Sequence, residues 1–199
     1  LYTMPTGSLG RRSAQSAMYA IAQVLVRALA PILSFTAEEI WQHIPGAKAE
    51  SVFLEDNAAI DALLPPDGAY LDADGDAMTQ LLAMREAVSK VLAPMRADGA
   101  IGASLEAEVE VFVEHELATK LAPMADELRF FFITSRFDLK PVPVQPADGG
   151  WIHAVSTAHG KCVRCWHYRA DVGQHADDPG LCGRCVENVN GAGETRRFF

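Results

Sequence analysis

Long apolar runs are missing from this 199-residue chain, and cysteine is scarce, with only four residues. The longest apolar stretch, from Ala20 to Leu33, is interrupted by Gln23, Arg27 and Pro31. It falls short of the roughly 18 uninterrupted apolar residues that a bilayer-spanning helix needs, so no membrane helix is predicted. The opening Leu1-Tyr2-Thr3-Met4-Pro5 has no charged region ahead of an apolar one. It is not a secretory signal, and it reads as the cut end of a longer chain. No G-x-x-x-x-G-K-[ST], G-x-G-x-x-G or H-E-x-x-H occurs, and Ser, His and Asp stand without a triad pattern, so the chain by itself is read as non-catalytic. The segment Ala97-Asp98-Gly99-Ala100-Ile101-Gly102 lacks a phosphate-loop pattern and is predicted to be a turn. What is present is the composition of a folded chain of one or two domains, 49% hydrophobic and 22% charged.

Acid is also unevenly spread. The first 37 residues carry Arg11, Arg12 and Arg27 and no Asp or Glu. Residues 161–199 carry six basic and five acidic side chains, so the net charge of −9 is concentrated in the middle of the chain. Local charge decides contact with a polyanion, so two ends able to meet phosphates are compatible with an acidic whole. An ordinary solvated surface explains the same charges.

Hydrophobic period gives the organisation. Ala14, Ala17, Met18, Ile21, Leu25, Ala28 and Leu29 recur at three- and four-residue steps, predicting an amphipathic helix from Leu9 to Ala30, ended by Pro31. Thr36-Ala37-Glu38-Glu39 has the form of a capping box, so a second helix is expected through Ile40, Trp41 and Ile44, ending before Pro45-Gly46. Two helices do not bury both apolar faces alone, and a partial bundle is expected. Residues 55–76, with Asp61, Asp67, Asp72, Asp74 and Pro65-Pro66, read as an acidic connector. A helix from Met78 to Met95, bent by Pro94 and stopped at Asp98-Gly99, follows. Leu105, Ala107, Val109, Val111 and Val113 alternate with Glu106, Glu108, Glu110, Phe112 and Glu114, predicting a strand with an inner apolar and an outer acidic face. A helix over residues 116–127 and a second strand at Phe130-Phe131-Phe132-Ile133 complete an α-β-α-β order. Pro141, Pro143, Pro146 and Gly149-Gly150 mark a linker.

The chemistry gathers at Cys162-Val163-Arg164-Cys165 and Cys182-Gly183-Arg184-Cys185, separated by 16 residues. Each C-x-x-C directs two thiolates to one point, and two of them supply the tetrahedral soft-donor set of one structural Zn²⁺. Gly183 is expected to allow a tight turn under the metal, and Arg164 and Arg184 to offset the negative charge of a zinc tetrathiolate. A rubredoxin-type iron centre fits the same donors, and two disulfides or a thioredoxin-like pair are the remaining readings. Four protein ligands close the site to a water nucleophile, which makes its role structural. His159, His167 and His175 are read as surface or neighbouring groups rather than ligands. Trp166 and Tyr168 between Arg164 and Arg169 form a basic–aromatic cluster that either stacks nucleic-acid bases or, in the case of Trp166, covers the metal site as a small core.

The segment Ala30-Pro31-Ile32-Leu33-Ser34-Phe35-Thr36-Ala37-Glu38-Glu39-Ile40-Trp41, preceded by Arg11-Arg12-Ser13-Ala14-Gln15, closely resembles the anticodon-binding helical domain of bacterial isoleucyl-tRNA synthetases. Its Pro, Phe-Thr and Glu-Glu-x-Trp pattern is shared with the valyl and leucyl enzymes. Lys161-Cys162-Val163-Arg164-Cys165-Trp166-His167-Tyr168 with Cys182-Gly183-Arg184-Cys185 resembles the C-terminal zinc finger of the bacterial isoleucyl enzymes and, in related form, of formamidopyrimidine-DNA glycosylases. Gly102-Ala103-Ser104-Leu105-Glu106-Ala107 and Asp126-Glu127-Leu128-Arg129-Phe130 are similar to the isoleucyl family too.

The resemblance implies an α+β chain: part of a helical bundle (1–54), the connector (55–75), a small α/β domain (76–140), a linker (141–160) and a four-cysteine zinc finger (161–199). It carries over Cys162, Cys165, Cys182 and Cys185 as ligands of one structural zinc. Contacts to isoleucine-specific tRNA are expected from Arg11, Arg12, Arg164, Trp166, Arg169, Arg184, Arg196 and Arg197. ATP and isoleucine activation belong to a Rossmann-type catalytic domain outside this sequence. A cytoplasmic monomer with no membrane partner is expected. The alternatives are the DNA-holding finger of a glycosylase-like repair enzyme and a zinc-stabilised protein-interaction module.

Overall fold

The computed structural model describes residues 1–46, 48–56, 75–142 and 151–198, with the side chains of residues 75 and 76 left aside. The acidic run with Asp61, Pro65-Pro66 and Asp72, and the Pro143 to Gly150 part of the linker, lie outside the described residues. The chain divides into two compact units, one made of Leu1 with residues 11–73 and the other of residues 2–10 with 74–199. The N-terminal segment thus packs with the C-terminal unit rather than with the helices that follow it.

In the first unit, α1 (Leu9–Leu29) stops where Pro31 removes a donor, and the carbonyl of Leu29 accepts from Leu33 N at 2.7 Å. The helix α2 (Ser34–His43) begins two residues before the predicted box. Its N-cap, Leu33, offers no side-chain bond, and Thr36 lies inside the helix. Glu38 does the reaching instead, accepting from Ser51 Oγ at 2.8 Å and Val52 N at 3.1 Å. Those bonds, led by the one from Ser51 and followed by that from Gln42, hold its pKa below the usual carboxylate value. Trp41 is fully buried with Val26, Ala30, Ala37, Ile44 and Val52. Its indole N–H donates to Ala49 O at 3.0 Å, and the guanidinium of Arg27, itself paired with Glu55 at 2.8 Å, lies 5.1 Å from the ring.

The apolar stripe of α1 is left largely uncovered, as expected of two helices that cannot bury both faces alone. Met18, Ile21 and Leu25 are exposed, while Gln23, Val26 and Ala30 face the core. The period was that of a helix, but among the described residues a single neighbouring helix covers one side only, and the side it covers is the one that admits Trp41.

In the second unit, α3 (Gly75–Ala97) continues through Pro94 and is followed by Gly99, whose φ of +74° is the left-handed conformation that glycine adopts without strain. It lays Leu81, Val88 and Leu92 on the apolar face of a three-stranded sheet. The central strand, β1 (Ala107–Glu114), pairs in parallel with β2 (Arg136–Val142) and antiparallel with β3 (Ile152–Ser156). Ala107, Val109, Val111 and Val113 are buried, as the alternation requires. Parallel pairing demands a crossover, supplied by α4 (His115–Leu121), a 3-10 segment (Ala122–Glu127) and α5 (Leu128–Phe132).

Three expectations change here. The helix over 116–127 is α-helical only to Leu121. The run from Phe130 is helical, and the second strand starts at Arg136 after Ile133 turns the chain at φ +56°. A four-residue apolar run carries no period that separates strand from helix. Packing settles it, with Phe132 stacked on Phe137 at 3.8 Å. The stretch expected as a linker contributes β3, and β4 (Gly160–Lys161) pairs with β5 (Tyr168–Arg169) at the start of the finger, which ends in α6 (Gly183–Asn190). The architecture is α+β: helices, a small mixed sheet and a four-cysteine cluster.

Candidate metal centre

The sulfur atoms of Cys162, Cys165, Cys182 and Cys185 all lie within 4.8 Å of one another, and no disulfide joins them. Cys165 and Cys182 are 3.7 Å apart at sulfur. Tetrahedral zinc with bonds of about 2.3 Å sets its sulfurs roughly 3.8 Å apart, so the donor set fits the ion. Cys162, Cys182 and Cys185 are buried, with Val172 and Leu181 packed against them. None of the three neighbouring histidines joins the donor cluster.

The sequence folds this way because both knuckles are backed by backbone donors. Cys182 N donates to Cys162 Sγ at 3.3 Å, and Trp166 N donates to Cys162 O at 2.9 Å. Burial pushes the Cys162 thiol up, but the backbone bonds from Cys165, Cys182 and Arg164 outweigh it and bring it down to about 7. Cys182 is pushed up to about 11, first by its hydrogen-bonded neighbour Cys165. The packed thiols resist becoming thiolates together, and a bound dication supplies the charge that would let them.

Gly183 acts differently from the expected tight turn. It is the first residue of α6, and its N–H donates to Asp171 Oδ2 at 2.8 Å. A Cβ there would sit 2.9 Å from that same oxygen and 3.3 Å from His175 Nε2. The glycine is needed for space, so Gly183→Ala is expected to cost about 1 kcal/mol. The urea midpoint of Gly183→Ala in an Asp171→Ala background checks this, because the shorter of the two contacts is gone there and the two costs are sub-additive. Among the described residues of the finger, the left-handed residue that is not glycine is Trp166, at φ +66°. For a bulky side chain that conformation costs about 1 kcal/mol or more. Trp166 is 60% exposed, with Lys161 Nζ 5.4 Å from its ring centroid, so it does not roof the metal.

The arginines divide into two groups. Arg164 donates to Thr3 O at 2.6 Å, and Arg184 Nη2 donates to Glu194 Oε1 at 2.6 Å and to Thr3 Oγ1 at 3.0 Å. Arg196 meets Glu194 at 3.2 Å and lies 3.4 Å from the ring centroid of Phe130, where Arg129 and Arg184 also stack, at 4.6 and 4.9 Å. Arg164, Arg184 and Arg196, expected to face phosphates, are therefore engaged inside the unit. Arg12 and Arg197 are exposed, while Arg11 and Arg169 are half-buried. Glu194 is the anion of the cluster. Burial would raise its pKa, but bonds from Arg184 and Asn188 and the charge of Arg184 carry it down to about 2. His167 is held neutral, its pKa lowered to about 4 by burial and then by the charge of Arg129. Its ring lies against Phe130 at 5.5 Å, and its Nδ1 donates to Cys165 O at 3.2 Å. Sequence reasoning missed Glu194, Arg129 and Phe130, which lie 9 or more residues from the nearest cysteine and carry no spacing signal.

Comparison with known proteins bears on both units. Residues 160–188 match the zinc finger found in FPG and IleRS. Isoleucine–tRNA ligase of Stenotrophomonas maltophilia strain R551-3 is 54% identical over 199 residues, all of this chain and 20% of that protein. Isoleucine–tRNA ligase of Xylella fastidiosa strain M12 is 48% identical over the same coverage. That of Nitrosococcus oceani is 47% identical over 99% of this chain and 21% of its own length. The chain thus spans about one fifth of the length of these relatives. Residues 1–111, more than half of the chain, match the anticodon-binding domain of tRNA ligases, and it is to that family that the chain belongs.

Proposed function

We propose that this chain is the tRNA-reading part of an isoleucine–tRNA ligase, whose remaining four fifths would activate isoleucine with ATP and join it to the tRNA. The observation that carries the tRNA contact is Trp166, exposed, held in a left-handed backbone and flanked by Lys161. A strained, displayed aromatic beside a cation is what base stacking next to a phosphate uses. Arg12, Arg169 and Arg197 add phosphate contacts, and Arg11 belongs to the same proposal. Arg164, Arg184 and Arg196 contribute by fixing the finger on residues 2–10 and on Phe130, so their role in binding is to position Trp166.

One structural Zn²⁺, rather than iron, holds the four cysteines of this proposal. Bound zinc gives the finger its fold and takes no part in chemistry. Binding energy gathered on the anticodon arm would orient the distant acceptor end for reaction. A monomer acting in the cytoplasm is the form this reading requires, and no helix among the described residues is long and apolar enough to cross a membrane. The match of residues 1–111 favours this reading over a DNA-repair finger.

The test is binding of the zinc-loaded protein to isoleucine tRNA and to a noncognate tRNA. Trp166→Ala is expected to weaken binding by about 1–3 kcal/mol, the worth of one stacked base, with zinc content unchanged. Equal affinity of the wild type and Trp166→Ala for both RNAs would refute the assignment of Trp166.

A further inference from the structure

Beside the finger, a cleft of about 800 Å³ runs between α4 and the outer edge of β2. That size is in the range that takes a nucleotide-sized group. One wall is low, made of Ala118, Thr119 and Ala122, and the other is Arg136 to Pro141, with Arg129 and Arg169 lining the cleft as well. Two of its four long cations are already engaged. Arg136 pairs with Asp138 at 2.5 Å, and Lys140 with Glu110 at 3.3 Å.

Arg129 and Arg169 have no carboxylate within ion-pair distance among the described residues. The Nε of Arg129 is buried with no hydrogen-bond partner. Four guanidiniums crowd this corner, and Arg129 shows it: burial, then the charges of Arg169, Arg184 and Arg196, push its pKa down. An unmatched fork of donors in a positive recess is relieved by an anion with several oxygens. Arg136 and Arg169 also line a second cleft, of about 380 Å³, so the recess continues past them. Of the acids along it, Glu108 bonds Thr157 Oγ1 at 2.6 Å and Asp171 bonds Gly183 N at 2.8 Å through Oδ2, while Asp126 lines the first cleft from its exposed rim. A track of this length suits a polymer of phosphates better than one ion.

We infer that the cleft between α4 and β2 is a second RNA contact, in which Arg129 and Arg169 hold successive backbone phosphates. This rests on the tRNA-reading proposal above. Arg169 lies three residues beyond Trp166, so the chain that displays the stacking ring continues directly into the phosphate track.

Affinity of the zinc-loaded protein for isoleucine tRNA, measured across salt concentration, tests it. Arg129→Gln with Arg169→Gln is expected to weaken binding about tenfold per guanidinium. It should also lower the slope of log affinity against log salt by about 1.4, two single-strand phosphates' worth. Arg169→Gln alone, on a two-residue strand at the surface, should show half of that slope change, which covers the case where Arg129→Gln disturbs folding. Arg129→Lys with Arg169→Lys should keep the slope. Unchanged affinity and slope in Arg169→Gln and in the double variant, with Trp166→Ala still weakened, overturn the cleft and leave the tRNA reading standing. Absence of tRNA binding by the wild type at low salt overturns both. Polyglutamate displacing the RNA as well as a single-stranded RNA competitor does would give the cleft to an acidic protein segment, and overturns the RNA assignment.

Discussion

Withdrawing zinc with a chelator is expected to unfold residues 160–198, releasing residues 2–8 with them, while α1, α2 and the three-stranded sheet keep their structure. The finger has little else to stand on. Its core consists of the four cysteines with Val172 and Leu181, its strands are two residues long, and α6 has eight residues, below the roughly 12 a helix needs by itself in water. Metal binding in such folds is worth on the order of 10 kcal/mol of folding free energy. The N-terminal segment follows because Thr3 O accepts from both Arg164 and Asn188, the latter at 3.1 Å, and those donors hang on the knuckles. Limited proteolysis reads the effect: new cuts at Lys161, Arg164, Arg169 and Arg184 after chelation, reversed by added zinc. Cys182→Ser should show the same cuts with zinc present. A digestion pattern indifferent to chelator would sink the structural role of the metal.

Glu194→Gln should cost about 3 kcal/mol at neutral pH, the second largest effect. Glu194 is the shared acceptor of Arg184 and Arg196, which are nearly buried, so its loss takes the countercharge from two cations stacked on Phe130. The carboxyl titrates near 2 in the folded protein against 4.5 ordinarily, and each unit of difference is about 1.4 kcal/mol. A depressed folded pKa gives stability that is complete above the ordinary value and is lost as pH falls through the folded one. The gap in urea midpoint between wild type and Glu194→Gln should therefore be constant from pH 5 upward and close between pH 4.5 and 2. Release of the metal in acid would unfold the residues around Glu194 and close the gap as well, so zinc content is measured at each pH alongside the midpoint. A gap that ignores pH would mean that packing, not charge, is what the substitution removes.

The parts legible beforehand are those with a period or a spacing. The run Leu9 to Leu29, the helix around Val88 and the alternation at Val109, Val111 and Val113 each repeat a geometric rule over many residues, and the repetition averages out local accidents. The two C-x-x-C pairs are legible for a stronger reason, since metal geometry constrains both residue type and spacing. Short signals failed. Thr36 to Glu39 carries the letters of a capping box, yet α2 starts at Ser34 with Thr36 inside it, and it is Glu38, not the box's Glu39, that bonds Ser51 and Val52. Phe130 to Ile133 looks like a strand and is a helix end.

Charge was the least legible property. Arg164, Arg169, Arg184, Arg196 and Arg197 look alike in the chain. Whether a guanidinium is displayed or spent depends on which carboxylate, carbonyl or ring lies within 3 to 5 Å of it, and those partners come from residues as distant as Thr3, Phe130 and Glu194.

The sequence by itself therefore determined the helical and strand segments with long periods, the four-cysteine cluster and the resemblance to a tRNA-ligase family. Only the tertiary structure decided which face of α1 is buried, that residues 152–156 join the sheet, and which arginines remain available to an anion. The physical reason is one of range. Periodicity and ligand spacing are written in neighbouring residues, whereas burial and charge pairing are set by groups that meet only when distant segments have packed.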